Sequence, residues 1–269
     1  MPSTDFSALF AGHFTGRRVV IMGGARGIGA DIGEGFARAG ASVLLTDLTP
    51  AVLDTASALN ETGLDVTGLV ADATDEDDVA GVFAHVRSEW GSLDVLVNNA
   101  GIITISRLEE TSTEDFAKVL AVNTTAQFLA AREALPLLRA AGGGSILNAA
   151  SGQAREGFIF TPSYAASKFG VMGMTQSLAK ELAPENIRVN AYCPGIVETE
   201  MWEYNDREWG RLIGGYEPGE YIRNAIESIP LGRAASGADI AHALMFLASD
   251  AGTYITGQAL NIDGGMFMN

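Results

Sequence analysis

The chain has 269 residues, with 17 Lys and Arg against 33 Asp and Glu, a formal net charge of −16. So acidic a surface repels phosphate backbones and anionic lipid, which argues against a nucleic-acid or membrane partner. One cysteine, Cys193, permits no internal disulfide, and three dispersed histidines, His13, His85 and His242, argue against a structural zinc site. In chain order, Arg18–Met22 reads as a buried strand, residues 27–39 as a helix stopped at Gly40, and Ser42–Asp47 as the next strand. Residues 50–61 read as a helix closed by Gly63, and 65–71 as a third strand. Thr74 is placed to cap a helix that runs to Gly91, with Asp75, Glu76 and Asp77 in its first turn, where carboxylates favour the helix dipole. A fourth strand follows at 93–97.

The second half continues in the same way. Ser112, with Asp115 three residues on, resembles a capping box and opens a long helix through about residue 139. A fifth strand lies within 142–149. Thr161 and Pro162 read as N-cap and N1 of a helix over 162–183. Residues 188–192 form a sixth strand, 195–232 are irregular or helical, 238–248 are a helix and 258–262 a last strand. Strand–helix alternation of this kind implies a parallel sheet covered on both faces, because parallel neighbours need crossover connections. No linker-like composition interrupts it, so residues 16–269 are expected to form one α/β domain after an N-terminal extension, 1–15. The N-terminus lacks the basic and apolar regions of a secretory signal, and no stretch has the length of a membrane span, so a cytoplasmic protein is expected.

Gly23, Gly24, Ala25, Arg26, Gly27, Ile28 and Gly29 follow the first strand and open the first helix. Glycines at this spacing let the backbone turn sharply and approach a pyrophosphate, while the helix N-terminus offers unpaired N–H groups. A glycine cluster alone also fits a plain tight turn; the strand–turn–helix context favours a dinucleotide. Asp47 ends the second strand, 24 residues after Gly23, where a carboxylate can accept from the adenosine ribose hydroxyls and would repel a 2′-phosphate. That favours NAD over NADP. Arg26 is the opposing signal, a cation that could face a 2′-phosphate, and Asp47 also fits a solvated strand end before Pro50.

Tyr164 and Lys168 lie four apart on one helix and share a face. A free phenol, with a pKa near ~10, is a poor base at neutral pH; a nearby ammonium stabilises the phenolate. Tyr-x3-Lys alone is common on helix surfaces. Ser151, 13 residues before Tyr164 at the end of the fifth strand, raises its meaning, since ligands bind at strand ends of a parallel sheet.

At these residues the sequence resembles the short-chain dehydrogenase/reductase family. The resemblance runs from about Gly16 to the C-terminus. It rests on the glycine loop, Asn98-Asn99-Ala100-Gly101, Asn123, Ser151, Tyr164 with Lys168, and Pro194-Gly195. It implies a doubly wound Rossmann fold with a central parallel sheet of about seven strands and helices on both faces. It implies Tyr164 as general acid/base, and Lys168 as the cation that lowers the phenol's pKa and holds the nicotinamide ribose. Ser151 would orient the substrate oxygen, and Asn123 would hold a water linking Lys168 to solvent. Gly23, Arg26, Gly27, Ile28, Gly29 and Asp47 would contact the cofactor. Asp72 and Ala73 would lie at the adenine, and Asn99, Ala100 and Gly101 would border the cofactor. Pro194 and Gly195 would contact the cofactor, and Val197 and Thr199 would lie at the nicotinamide carboxamide. Met22 departs from the family's usual threonine, which removes a side-chain hydrogen bond near the loop.

Specificity in this family is set after Ser151, here at 152–158, and by the loop after Gly195, here at 196–231. That loop holds Met201, Trp202, Tyr204, Trp209 and Tyr216 and is expected to be a mobile lid. Its aromatics either form the lid's own core or line the pocket; Trp202 and Gln153 are the substrate-contact candidates. Residues 193–202 resemble acetoin reductases (butanediol dehydrogenases), and 216–232 and 261–269 resemble both these and sorbitol/galactitol dehydrogenases. The expected activity is therefore NAD-dependent oxidation of a secondary alcohol in a polyol, sugar or small diol. Acetoin or diacetyl reduction is the alternative. A third reading, an inactive NAD-binding regulator, is opposed by the intact Ser151, Tyr164 and Lys168. The resemblance also implies a homotetramer, with helices 112–139 and 162–183 pairing across one interface and the C-terminal helix and last strand across another. Some relatives bind magnesium at the C-terminus, but the residues here show no metal site.

Overall fold

A computed structural model describes residues 10–268. Seven strands form: β1 Arg18–Met22, β2 Ser42–Asp47, β3 Val66–Val70, β4 Val95–Asn98, β5 Gly144–Ala149, β6 Ile187–Pro194 and β7 Ala259–Ile262. All neighbours are parallel, in one sheet of order β3-β2-β1-β4-β5-β6-β7. The order reverses between β1 and β4, the switch point at which a doubly wound sheet opens a crevice. The helices are α1 Gly27–Arg38, α2 Ala51–Glu61, α3 Glu76–Glu89, α4 Thr113–Leu120, α5 Ala126–Ala140, α6 Pro162–Leu182, α7 Glu200–Ile213, α8 Glu220–Glu227 and α9 Gly237–Ala248.

Both faces of the sheet are buried, so its strands read as continuous apolar runs rather than alternations. Val19 and Ile21 of β1 pack with Ile32, Phe36, Val52 and Leu244 under α1, α2 and α9. Val20 and Met22 face the other way, onto Val79, Phe83, Leu129 and Leu137 of α3 and α5. Phe14, from the expected N-terminal extension, stacks edge-on against Phe36 at 4.9 Å and is buried. Residues 1–9 of that extension and the C-terminal Asn269 lie outside the described residues.

Several ends and one interior differ from expectation. Asp75, not Thr74, caps α3, accepting from the N–H groups of Asp77 and Asp78; Thr74 instead donates its hydroxyl to Asp72. Thr161 makes no cap bond, because its buried hydroxyl is directed at Gln153 Oε1 and the Phe158 carbonyl. Ser112 accepts from Asp115 N, but the Asp115 carboxylate takes the Ser112 hydroxyl, leaving half a capping box. The complete reciprocal box is at Ser236 and Asp239, opening α9. The single long helix expected over 112–139 is interrupted by a π-helical turn, Ala121–Thr125, which carries Asn123. The stretch after β6, expected to be irregular or helical, folds into α7 and α8.

Candidate active site

The carboxyl ends of the central strands finish in step. Met22 is in register with Thr46 and with Asn98, Asn98 with Asn148, and Ala149 with Tyr192. The segments that follow, 23–29, 99–101, 150–154 and 195–199, therefore share one edge.

The glycine loop is built from backbone alone. Gly23 has φ +87°, and a Cβ there would lie 2.6 Å from Ala100 N; at Gly29 a Cβ would lie 1.9 Å from the Gly23 carbonyl oxygen. Neither position admits a side chain. Thr46 O accepts from Gly23 N and Gly24 N, both at 2.8 Å, and Asn99 Nδ2 donates to Gly23 O at 2.8 Å. Tyr192 Oη then fixes Asn99 by donating to its Oδ1 at 3.0 Å. Ala100 N donates to Met22 O. At Met22, Thr46 Oγ1 of β2 lies 3.3 Å from the sulfur.

Arg26 is the N-cap of α1 and supplies no side-chain cap; the first turn holds no acidic residue. The N–H groups of that turn thus need an acceptor from outside the helix, which suits a pyrophosphate. Asp47 Oδ2 accepts from Ala25 N at 3.2 Å and Oδ1 from Thr49 N at 3.0 Å, so the carboxylate is tied to the loop. Arg26 pairs with Glu200 at 2.8 Å, across from the loop at the start of α7. Beside it, the Thr199 methyl lies against Gly27. Asp72 accepts from Thr74 N at 2.8 Å, with half-buried Ala73 between them, at the end of β3. Gly195 N donates to Ile262 O at 3.1 Å, which ties the end of β6 to β7, and Val197 is buried.

Ser151, Tyr164 and Lys168 come together at the end of β5. Lys168 is buried, and its Nζ lies 5.5 Å from the Tyr164 ring centre. The ammonium donates to Ala149 O at 2.8 Å, and desolvation lowers its pKa to about 8. Burial raises the Tyr164 phenol, opposed by its hydrogen bond with Ser151. Ser151 Oγ also accepts from Gln153 N at 3.1 Å. Asn123 is fully buried: its Oδ1 accepts from Ile102 N at 2.8 Å, and its Nδ2 donates to Ile102 O at 2.9 Å and to Ser167 Oγ at 3.0 Å. Gly101 lies beside both: a Cβ there would be 3.4 Å from Asn123 Oδ1 and 3.5 Å from Lys168 Nζ, ordinary contact distances. Cys193 is buried nearby, and burial pushes its thiol up, away from a reactive thiolate.

The lid aromatics mostly form its own core. Trp209 is buried, donates its Nε1 to Ile159 O at 3.1 Å, and stacks with Phe158, Trp202 and Tyr221 at 5.3, 6.1 and 5.7 Å. Tyr216 packs on Tyr221. Trp202 is half-buried and joins two clusters, one with Ile105 and Trp209 and one with Ile196 and Ile229. A cavity of about 950 Å³ opens between α7 and α8, bordered by Val197, Thr199, Trp202 and Ile222. Gln153 lies beside Ser151, and its Oε1 accepts from Thr161 at 2.7 Å.

Two residues of this edge escape the sequence reading. The Phe267 ring covers Gly152, where a Cβ would lie 2.3 Å from its Cε2. The ring is held there because Phe267 N donates to Asp263 Oδ2 and Phe267 O accepts from Asn261 Nδ2, both at 2.9 Å. Arg155 Nε in turn donates to Asn261 Oδ1 at 3.0 Å, which wires the C-terminal segment to the turn after Ser151. No local pattern announces a contact between segments so far apart in the chain. The second residue is Gln127, whose Nε2 donates to Ala149 O at 3.1 Å. Its place four residues after Asn123 was a legible signal, since the two share a helix face.

This edge defines a dinucleotide-dependent oxidoreductase. A family model described as Enoyl-(Acyl carrier protein) reductase matches residues 23–267. The L-2,3-butanediol dehydrogenase of Corynebacterium glutamicum is 37% identical over 93% of this chain and 98% of its own length. The galactitol 2-dehydrogenase of Agrobacterium fabrum is 35% identical over 93% of this chain and 97% of its own. A solved structure from Beutenbergia cavernae, a candidate NAD(P)-dependent gluconate 5-dehydrogenase with NADP bound at low occupancy, is 36% identical with a TM-score of 0.86, covering 95% of this chain and 98% of that one. The chain belongs to the short-chain dehydrogenase/reductase family, and it is an oxidoreductase that acts on CH–OH groups with a nicotinamide cofactor.

Proposed function

We propose that this protein moves a hydride between NAD(H) and a secondary alcohol or ketone carbon of a polyol, a sugar or a small vicinal diol. One observation carries the reading: Ser151, Tyr164 and Lys168 meet at the carboxyl edge of the sheet, beside a cradle that only bare backbone can form. The nicotinamide, when bound, supplies the hydride acceptor. Ser151 orients the reacting oxygen by a hydrogen bond. Tyr164 takes the hydroxyl proton as phenolate in oxidation and returns it as phenol in reduction. Lys168 offsets the phenolate charge; one of its three protons is held by Ala149, and the other two are free for the ribose and the phenolate. Asn123, pinned to Ile102 and Ser167, would hold the water that passes the proton on.

Around the cofactor, Gly23, Gly27, Ile28 and Gly29 receive the pyrophosphate. Asp72 and Ala73 border the adenine, and Asn99, Ala100 and Gly101 the ribose. Pro194, Gly195, Val197 and Thr199 face the carboxamide. NAD is favoured over NADP by the Asp47 carboxylate at the end of β2 and by the pairing of Arg26 with Glu200, which occupies the guanidinium. Gln153 and Trp202 are assigned to the substrate. Acetoin or diacetyl reduction is a second reading, favoured by the 37% identity to a butanediol dehydrogenase.

Steady-state rates on sorbitol, galactitol, aldoses, butanediol, acetoin and diacetyl with each cofactor test the proposal. The expected outcome is turnover of a polyol or hydroxyketone with NAD(H). A strong preference for NADPH, or for 3-oxoacyl thioesters, overturns it.

A homotetramer is supported by exposed Phe128 on α5 and Phe169 on α6, the helices expected to pair, and by exposed Phe246, Tyr254 and Leu260 around α9 and β7. A monomer by light scattering refutes it. A single buried thiol and nicotinamide chemistry suit a cytoplasmic setting. No helix among the described residues is long and apolar enough to cross a membrane.

A further inference from the structure

Gln127 sits in the first turn of α5 and is 2% exposed, its own carbonyl accepting from Asn98 Nδ2 at 3.4 Å. Its Nε2 and the Lys168 ammonium donate to the same oxygen, Ala149 O, at 3.1 and 2.8 Å. Its Oε1 meets no donor among the described residues. A buried amide oxygen left without a donor costs about 1–3 kcal/mol, whereas methionine or leucine would fill the same space without that penalty. That penalty offsets what the bond to Ala149 O contributes to stability. The side chain's one clear action is on the carbonyl that tethers Lys168.

We propose that Gln127 is a positioning residue for Lys168: by sharing the Ala149 carbonyl it fixes the tether of the ammonium and weakens its hold, so that the charge stays available to Tyr164 and the cofactor ribose. This rests on the acid/base reading given above. The groups around Lys168 are few. Tyr164 faces it from α6, and Cys193 from β6; Tyr192 and Arg155 act one contact further out, on Tyr164 and Cys193. The π turn and α5 contribute only the neutral amides of Asn123 and Gln127. Without Gln127, the whole acceptor capacity of Ala149 O falls to the ammonium, which then holds its proton to higher pH.

The test uses Gln127→Met and Gln127→Leu in the full-length enzyme, with carbonyl reduction followed across the alkaline limb of the pH profile. The expected result has four parts: a melting temperature equal to or above wild type, a KM for NADH within about twofold, kcat lowered about tenfold, and the alkaline limb moved up by about half a pH unit. An unchanged kcat and limb overturn the proposal, as does a downward shift. Loss of cooperative unfolding in both variants assigns Gln127 to the fold and also overturns it. Failure of the underlying reading looks different: wild-type enzyme inactive on every alcohol and ketone, or Tyr164→Phe still turning over.

Discussion

The glycine-loop edge and the α7–α8 segment meet at Arg26 and Glu200 but are built by opposite means. Around Gly23 and Gly29 the contacts are backbone to backbone, so tight that an added methyl would lie 2.6 Å from Ala100 N or 1.9 Å from Gly23 O. The lid is built from rings: Trp209, Trp202, Tyr221 and Tyr216 hold α7 to α8, and one indole N–H anchors them to Ile159 O. The nucleotide edge therefore fails when an atom is added, the lid when one is removed. The Ser151, Tyr164 and Lys168 group shares both characters, with Lys168 tethered to a main-chain carbonyl and Tyr164 set beside the side chain of Ser151.

The sharpest break in that comparison is at Tyr164, the proposed acid/base. Tyr164→Phe should lower kcat by about a thousandfold while NAD binding, followed by nicotinamide fluorescence, stays measurable. Retained turnover would show that another group moves the proton. Next comes Gly29→Ala, expected to weaken NAD about a hundredfold, because the loop must open to admit a Cβ. Unaltered affinity would show that the edge is not as rigid as its contacts demand. Trp209→Ala should act the other way, costing about 3–5 kcal/mol of lid packing and raising KM for the alcohol more than KM for NAD. Equal changes in both constants would contradict the separation of the two regions.

A pH effect follows from burial of Lys168. In carbonyl reduction the phenol is needed protonated, and its raised pKa keeps it so; the ammonium is lost as pH rises through about 8. The kcat/KM for reduction should fall above that value, and Lys168→Met should remove the limb along with most of the activity. The stability sign is opposite. The folded chain holds this proton less tightly than the unfolded one, so the cost of burying it is present below about 8 and is relieved as pH rises toward 10.5. The smallest effect is expected for Glu200→Gln, since its pair with Arg26 is exposed on both sides; KM for NAD should change by about twofold or less, with a measurable gain in NADP use.

Much of this molecule was legible before its structure. β1 and β2 fall on the residues their apolar runs mark, and the glycine loop lies between strand and helix where its spacing requires. Tyr164 and Lys168 share a helix face because four residues are about one turn. What failed did so for tertiary reasons. Thr161 gives its hydroxyl to the Ser151 turn rather than to its own helix, and the π turn at Ala121–Thr125 rotates Asn123 onto Ile102. The lid aromatics could not be apportioned between core and pocket from spacing, because the decision lies in how α7 meets residues 103–105 and 158–160.

By itself the sequence determined the alternation of strands and helices, the cradle, and the pairing of Tyr164 with Lys168 on one helix face, because each is a local pattern with a local physical cause. Only the tertiary structure decided that Phe267 covers Gly152, that Arg26 answers to Glu200, and that Gln127 and Lys168 draw on one carbonyl. Those contacts join segments far apart in the chain. Their energies depend on burial and distance, which no stretch of sequence carries.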